Sequence, residues 1–213
     1  ERPTQFEVPF YRYVAATGGG HLRVLYTAAQ AAAPAHDPEL GRAIDWGFEL
    51  LGGYDHAELP ANGRARWLAT EFARERYDLL IVNGYTRKSY LLANRMARRS
   101  GIATALRLDS VLESDPPPRR FSKRLLFATL LEPRYDLFLG VGTRTLEYLS
   151  YFRIPERRTG LFPYAVDTDE FRRRAEQARA GRAALRQRWG VPDQAKVVLC
   201  LAKLGPREAP WDL

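Results

Sequence analysis

Short continuous apolar runs recur along this chain, each closed by a turn or loop segment. Each is followed by a segment with apolar residues at three- and four-residue spacing. Continuous apolar runs mark strands buried on both faces, as in parallel sheets, and the helical spacing marks helices packed on them. The clearest case starts at Arg134. Residues 137–141 read as a strand, Gly142 as a turn, Thr143 as the N-cap of an amphipathic helix through Phe152, and residues 159–162 as a second strand. The same order appears earlier. A strand over 79–82 leads to the turn Asn83-Gly84-Tyr85-Thr86. A helix over 88–100, closed by Gly101, then leads to a strand over 102–106 and the turn Arg107-Leu108-Asp109-Ser110. Repeated strand–turn–helix–strand units predict an α/β fold, a Rossmann-like open parallel sheet with helices on both faces. Ligands of such sheets bind in the crevice beyond the carboxyl ends of the strands.

The remaining segments fit around this frame. Pro9 opens a helix whose apolar face is Phe10, Tyr13 and Val14, stopped by Gly18-Gly19-Gly20. Residues 22–26 read as a further strand of the sheet, and 64–75 as an amphipathic helix. The stretch from Pro34 to Pro60 gives no regular pattern beyond an extended segment over 45–51. Irregular segments of this length in α/β domains often bind substrate. Three prolines, Pro116 to Pro118, precede a segment over 119–131 that is basic at its start and apolar along one side. Two readings stay open for it: a helix lying on an anionic membrane, or a helix packing Leu125, Leu126 and Leu130 on the sheet. After Phe171 the composition changes. Residues 172–189 hold seven arginines and one glutamate and read as a linker helix stopped by Gly190. Residues 196–202 then read as the first strand of another domain. The expected organisation is an N-terminal Rossmann-like domain over 1–171, a basic linker helix over 172–190, and the start of a second Rossmann-like domain over 191–213. A first helix without a strand before it, and a helix only begun at Trp211, give the expectation that a strand precedes Glu1 and a domain follows Leu213.

Composition narrows the chemistry. The 213 residues include one cysteine, Cys200, and three histidines without ligand spacing, His21, His36 and His56. Neither an internal disulfide nor a multi-cysteine metal site is expected, and a reducing, cytoplasmic compartment fits. The net charge of +8 has two readings: attraction to an anionic partner, or arginines spread over solvated helix faces. No aromatic-interleaved basic motif of the RNA-binding type is present, so nucleic acid is not an expected partner. No Gly-x-Gly-x-x-Gly follows any strand, which argues against a dinucleotide-binding module.

Four segments together resemble the N-terminal half of a retaining glycosyltransferase of the GT-B fold, family 4. They are Arg2-Pro-Thr-Gln-Phe-Glu-Val-Pro9; Arg107-Leu-Asp-Ser110; Asp136-Leu-Phe-Leu-Gly-Val-Gly142 with Pro163-Tyr-Ala-Val-Asp167 and Phe171; and Ala202-Lys-Leu-Gly-Pro-Arg-Glu-Ala-Pro-Trp-Asp-Leu213. The resemblance implies transfer of a sugar, with retention, from a nucleoside diphosphate sugar to a glycan or lipid-linked acceptor. The donor is then a substrate, and no cofactor or metal is implied. The acceptor would sit on the N-terminal domain, with Gln5, His56, Gly84, Ser110 and Thr143 as candidate contacts. Asp109 or Arg107 would take the catalytic position where the family usually has a histidine. Lys203 would bind the diphosphate, since cationic groups stabilise the charge of the leaving group. The family's second basic position falls on Glu208, with Arg207 as its neighbouring substitute. The implied location is the cytoplasm, at the inner face of the membrane. Residues 1–213 alone are not expected to turn over. Bland roles stand beside these: His56 as a solvated or structural histidine, Asp109 and Ser110 as a turn-capping pair, Asp167 as a cap before Phe171, and Lys203 as a solvated strand-end lysine. The alternative from another class is a non-catalytic subunit that binds a partner protein or an anionic membrane surface.

Overall fold

The computed structural model describes residues 3–27, 35–37, 41–44 and 49–199. They fall into two compact units, Glu1–Val166 and Asp167–Leu213. The first unit is a Rossmann-like α/β assembly. Its main sheet has four parallel strands in the order β5 (Leu79–Asn83), β6 (Ala103–Leu108), β7 (Leu137–Gly140), β8 (Thr159–Leu161). The register pairs Ile81 with Ala105 and Ala105 with Leu137, so side chains of one parity share a face. The face carrying Leu80, Val82, Leu106, Leu108 and Phe138 is the apolar one. It is covered by α3 (Lys88–Arg99), α4 (Pro117–Leu126) with its π-helical continuation Phe127–Leu131, and α5 (Thr143–Tyr151). Phe127 stacks on Phe152 with ring centroids 4.6 Å apart, which anchors α4 against the end of α5. On the opposite face α1 (Val8–Thr17) sits over the carboxyl ends of the strands. Its N-terminal Glu7 reaches Asn83 and Arg107, and Phe10 packs edge-on against Phe162.

These elements match the apolar runs of the sequence, with the following corrections. The strand expected over 22–26 exists as β1 (Arg23–Tyr26), but it is not hydrogen-bonded into the main sheet. It pairs in parallel with β4 (Asp55–Glu58) in a separate two-stranded sheet. Consequently β5, whose apolar run reads as a central strand, stands at the edge of its sheet among the described residues. Thr143 is the first helical residue of α5. The N-cap is Gly142, which has no side chain to offer. The basic helix expected over 172–189 is two helices in the second unit, α6 (Thr168–Arg179) and α7 (Arg182–Arg188). Asp167 caps α6 by accepting the amide of Glu170 at 2.8 Å, as its position before Phe171 suggested.

The strand expected over 196–202 is not formed over 196–199, where Val197, Val198 and Leu199 are exposed and find no ladder partner among the described residues. Its remainder lies outside them, as do most of the segment over 28–36, residues 45–48, and Lys203 and Arg207. The stretch from Pro34 to Pro60 that gave no pattern contains β4 and a short antiparallel pair, β2 (Ala35–Asp37) with β3 (Arg42–Ile44).

Candidate functional site

The carboxyl end of the main sheet gathers segments far apart in sequence. Arg107, at the end of β6, is 7% exposed. Its guanidinium meets Glu7 at 3.3 Å and donates to the carbonyls of Phe162 and Pro163, both at 3.2 Å. It lies 4.6 Å from the ring centre of Phe162 and 4.7 Å from that of Tyr164. A planar cation can serve carbonyls in its plane and aromatic rings on its faces at once, which an ammonium cannot. Glu7 also accepts from Asn83 at 2.8 Å and from Thr4 at 3.3 Å. The charge of Arg107 is therefore committed to holding α1 and the 162–164 segment on the sheet. Two residues on, Asp109 is exposed and accepts the Tyr164 hydroxyl at 3.3 Å. Burial, and then the Asp109 charge, raise the Tyr164 phenol above its ordinary value.

A second polar cluster lies behind this rim. Asp115, 2% exposed, accepts from Lys123 at 2.6 Å, and Arg119 lies 3.4 Å away. Lys123 also donates to the Tyr148 hydroxyl at 3.0 Å. Burial pushes the Tyr148 phenol up to about 12, with the Asp115 charge adding to the rise, and the same phenol interacts with Tyr85 and Ser110. Arg120 donates to the carbonyls of Asp115 and Leu112. Arg120 and Lys123 thus point inward, drawn by Asp115 and the loop it anchors, and the helix turns the other way. Phe121 is 78% and Leu125 62% exposed. Of the three leucines expected to pack on the sheet, Leu126 and Leu130 are half-buried and Leu125 faces outward. Phe127 and Leu131 take the buried positions.

The candidates from the sequence divide accordingly. Arg107, Asp109 and Ser110 follow one another at the rim. Gly84 is there too, with φ of 95° and its amide donating to the carbonyls of Val82 and Arg107, so it links the ends of β5 and β6. Gln5 lies in the turn leading to α1, next to Phe6, whose ring meets Tyr164 at 5.9 Å. Thr143 is exposed at the start of α5, where Arg144 pairs with Glu113 of the loop after β6. His56 belongs to strand β4, not to a loop. It packs against the rings of Tyr26 and Tyr54, with Nδ1 3.3 Å from the Tyr54 carbonyl oxygen, and is not part of the Arg107 group. Glu7, Tyr164 and the Asp115–Lys123–Tyr148 cluster were not singled out by sequence. Glu7 and Tyr164 stood inside quoted segments, whereas no spacing rule joins Asp115 to Tyr148.

Among the described residues no group of three or more His, Cys, Asp or Glu side chains is placed to hold a metal ion, and no helix is long and apolar enough to cross a membrane. The chain matches no protein-family model and no curated protein.

Proposed function

We propose that this chain is the acceptor-side part of a retaining glycosyltransferase, acting on a glycan or lipid-linked acceptor with a nucleoside diphosphate sugar as donor. One observation carries the reading. Three of the four segments that carry the sequence resemblance converge at one rim: Glu7 from the first, Arg107 and Asp109 from the second, Pro163 and Tyr164 from the third. The rim is the carboxyl end of a parallel sheet, where ligands of such folds bind. In this reading Arg107 is a positioning residue. It fixes Tyr164 and the strand end from which Asp109 projects. Asp109 is the exposed carboxylate available to an acceptor hydroxyl, as hydrogen-bond acceptor and as base. Gln5, Gly84 and Ser110 border the same rim. The outward Phe121 and Leu125, flanked by the exposed Arg119 and Arg124, suit a peripheral contact with an anionic membrane and hence a lipid-linked acceptor. Lys203 and Arg207 remain the proposed donor contacts.

A second reading, a non-catalytic binding subunit of the same architecture, is favoured by one fact. With Arg107 buried in structural bonds, the rim offers a diphosphate no free cation from β6. The test is saturation-transfer NMR of the chain with polyprenyl diphosphate-linked monosaccharides, free oligosaccharides and nucleoside diphosphate sugars. The transferase reading expects a saccharide or lipid-linked saccharide to bind, with affinity reduced about tenfold by Asp109→Asn, the cost of about one hydrogen bond to a charged group. Binding unaffected by Asp109→Asn, or no binding by any acceptor, would overturn it.

A further inference from the structure

The positive charge is not spread evenly along the chain. Residues 87–134 hold eleven Lys and Arg against four Asp and Glu, a net +7, where the whole chain carries +8. Within this stretch α3 and α4 contain no carboxylate, and each bears four cations. By contrast α2 (Arg64–Arg74) supplies Glu71, which pairs with Arg23. The cations of α4 are largely committed, Arg119 and Lys123 to Asp115 and Arg120 to two carbonyls. Those of α3 are not. Arg95 and Arg99 form no ion pair among the described residues, and Arg98 approaches the Asp136 carboxylate only at 3.9 Å. Basic residues near a helix C-terminus often serve its free carbonyls. In α3 backbone amides serve them: Ser100 donates to Met96 and Ala97, Gly101 to Arg98, and Ile102 to Ala97, at 2.9 to 3.2 Å. The guanidinium groups are not drawn into capping.

These arginines line an open groove of about 540 Å³ between α3 and the turn over 130–134. Arg95, Arg98 and Arg99 form one wall and Arg134 the other, with Leu91 and Leu130 between them. The second wall is fixed from beneath. Asn94, 2% exposed, donates to the Arg134 carbonyl at 3.1 Å, and the buried Thr104 hydroxyl donates to the same oxygen at 3.2 Å. The Arg134 guanidinium gives one donor, Nη1, to the Leu130 carbonyl at 2.9 Å, which steadies it and keeps Nε and Nη2 for another partner. The groove lies beside the last turns of α3, near the amino ends of β6 and β7, and so at the opposite end of the sheet from the Arg107 rim. A concave surface lined by charges of one sign over apolar walls concentrates counter-ions.

We propose that this groove is a binding site for a phosphate monoester, with Arg95 and Arg134 as its principal ligands from opposite walls and Arg98 and Arg99 completing the charge. The guanidinium fork matches two phosphate oxygens at once, and a phosphate monoester carries enough negative charge to engage several such forks. Leu91 and Leu130 suit an apolar group next to the phosphate. No aromatic side chain lines the groove, so it lacks the stacking platform that a nucleobase would need. The phosphate can come from a soluble phosphate compound or from a lipid headgroup, since both present the same chemistry to the arginines. The inference does not depend on the transferase reading, which concerns the other end of the sheet.

The experiment is calorimetric titration of the chain with inorganic phosphate and with dihexanoyl phosphatidic acid below its micelle concentration, at constant ionic strength made up with sodium chloride. Saturable binding of one anion per chain is expected. Arg95→Gln and Arg134→Gln should each weaken it about tenfold, the loss of a charge-assisted hydrogen bond. Arg95→Lys, which keeps the charge without the fork, should recover part of that loss. Arg66→Gln makes the same change of net charge on the exposed surface of α2 and should leave the affinity unaltered. Phosphatidic acid bound about tenfold more tightly than phosphate would identify a lipid headgroup as the source, through its apolar part on Leu91 and Leu130, and equal affinities a soluble phosphate compound. No saturable binding of either probe, or an equal loss with Arg66→Gln, would overturn the proposal and return these arginines to a solvated helix face.

Discussion

Replacing Arg107 by methionine removes the charge and the planar fork while keeping most of the apolar stem. Arg107 and Glu7 are both nearly buried, and the variant takes the Arg107 guanidinium away from Glu7, which keeps Asn83 and Thr4 among its partners. Removing one member of a buried ion pair costs about 3–5 kcal/mol, because the other charge stays buried. The lost donors to the carbonyls of Phe162 and Pro163 and the lost contacts with the Phe162 and Tyr164 rings fall on the same group, so they overlap with that figure and do not add in full. The expected loss is about 4 kcal/mol, a large share of the roughly 5–15 kcal/mol by which domains are stable. Urea unfolding followed by far-UV circular dichroism measures it, with Glu7→Gln and the double variant completing a cycle. Glu7→Gln removes the charge that faces Arg107. The double variant should therefore be more stable than the sum of the single losses, by about 2 kcal/mol. A loss below about 1 kcal/mol for Arg107→Met, or a coupling of zero, would refute the assignment of Arg107 to the framework and return it to the open site.

Asp115→Asn strands the half-buried Lys123, and a destabilisation of about 3 kcal/mol is expected by urea unfolding, while Asp109→Asn at the exposed rim should cost less than about 1 kcal/mol. Arg153 closes α5 with φ of 63°, its amide donating to Ser150 and the next amide to Leu149, a position where glycine is the usual residue. Arg153→Gly should raise the melting temperature, by an amount equal to about 0.5–1 kcal/mol. The phenols of Tyr135 and Tyr148 are pushed up to about 12 by burial, from an ordinary 10. Between those values the unfolded chain has lost protons that the folded chain keeps, so stability is complete below pH 10 and falls as pH rises toward 12. Tyr148→Phe should flatten that fall in urea midpoints measured across this range. Phe121→Ser with Leu125→Ser should abolish sedimentation with phosphatidylglycerol vesicles at low salt without lowering the melting temperature; equal sedimentation would rule out this face as the membrane contact.

The main sheet was legible because parallel strands leave continuous apolar runs. The sequence read the four strands β5 to β8 and the helices α3 and α5 within a few residues of where they lie. The strand β4 was not legible. Asp55-His56-Ala57-Glu58 is polar at both ends and lies at a sheet edge, where a strand needs little apolar surface. The orientation of α4 escaped for another reason. Its sequence permits two inward faces, and the choice is made by Asp115, a buried carboxylate two residues before the helix begins. At the rim, Asp109 and Ser110 followed from their place after a strand. The role of Arg107 did not, because its partners come from segments 55 and 100 residues away.

That last separation bears on the order in which the molecule folds. The strands β5 to β8 follow one another along the chain, each joined to the next through its own helix, so their pairings close comparatively short loops. The bond from Glu7 to Arg107 closes one of 100 residues and needs β6 in place, and Arg107 is itself held by the carbonyls of Phe162 and Pro163. Loop-closure entropy and the need for a finished docking surface both put this event late. The helix α1 is therefore expected to lock onto the sheet after β5 to β8 have paired and to release before they part. Substitutions at Glu7 should speed unfolding and leave the folding rate almost unchanged, as for a contact absent from the transition state.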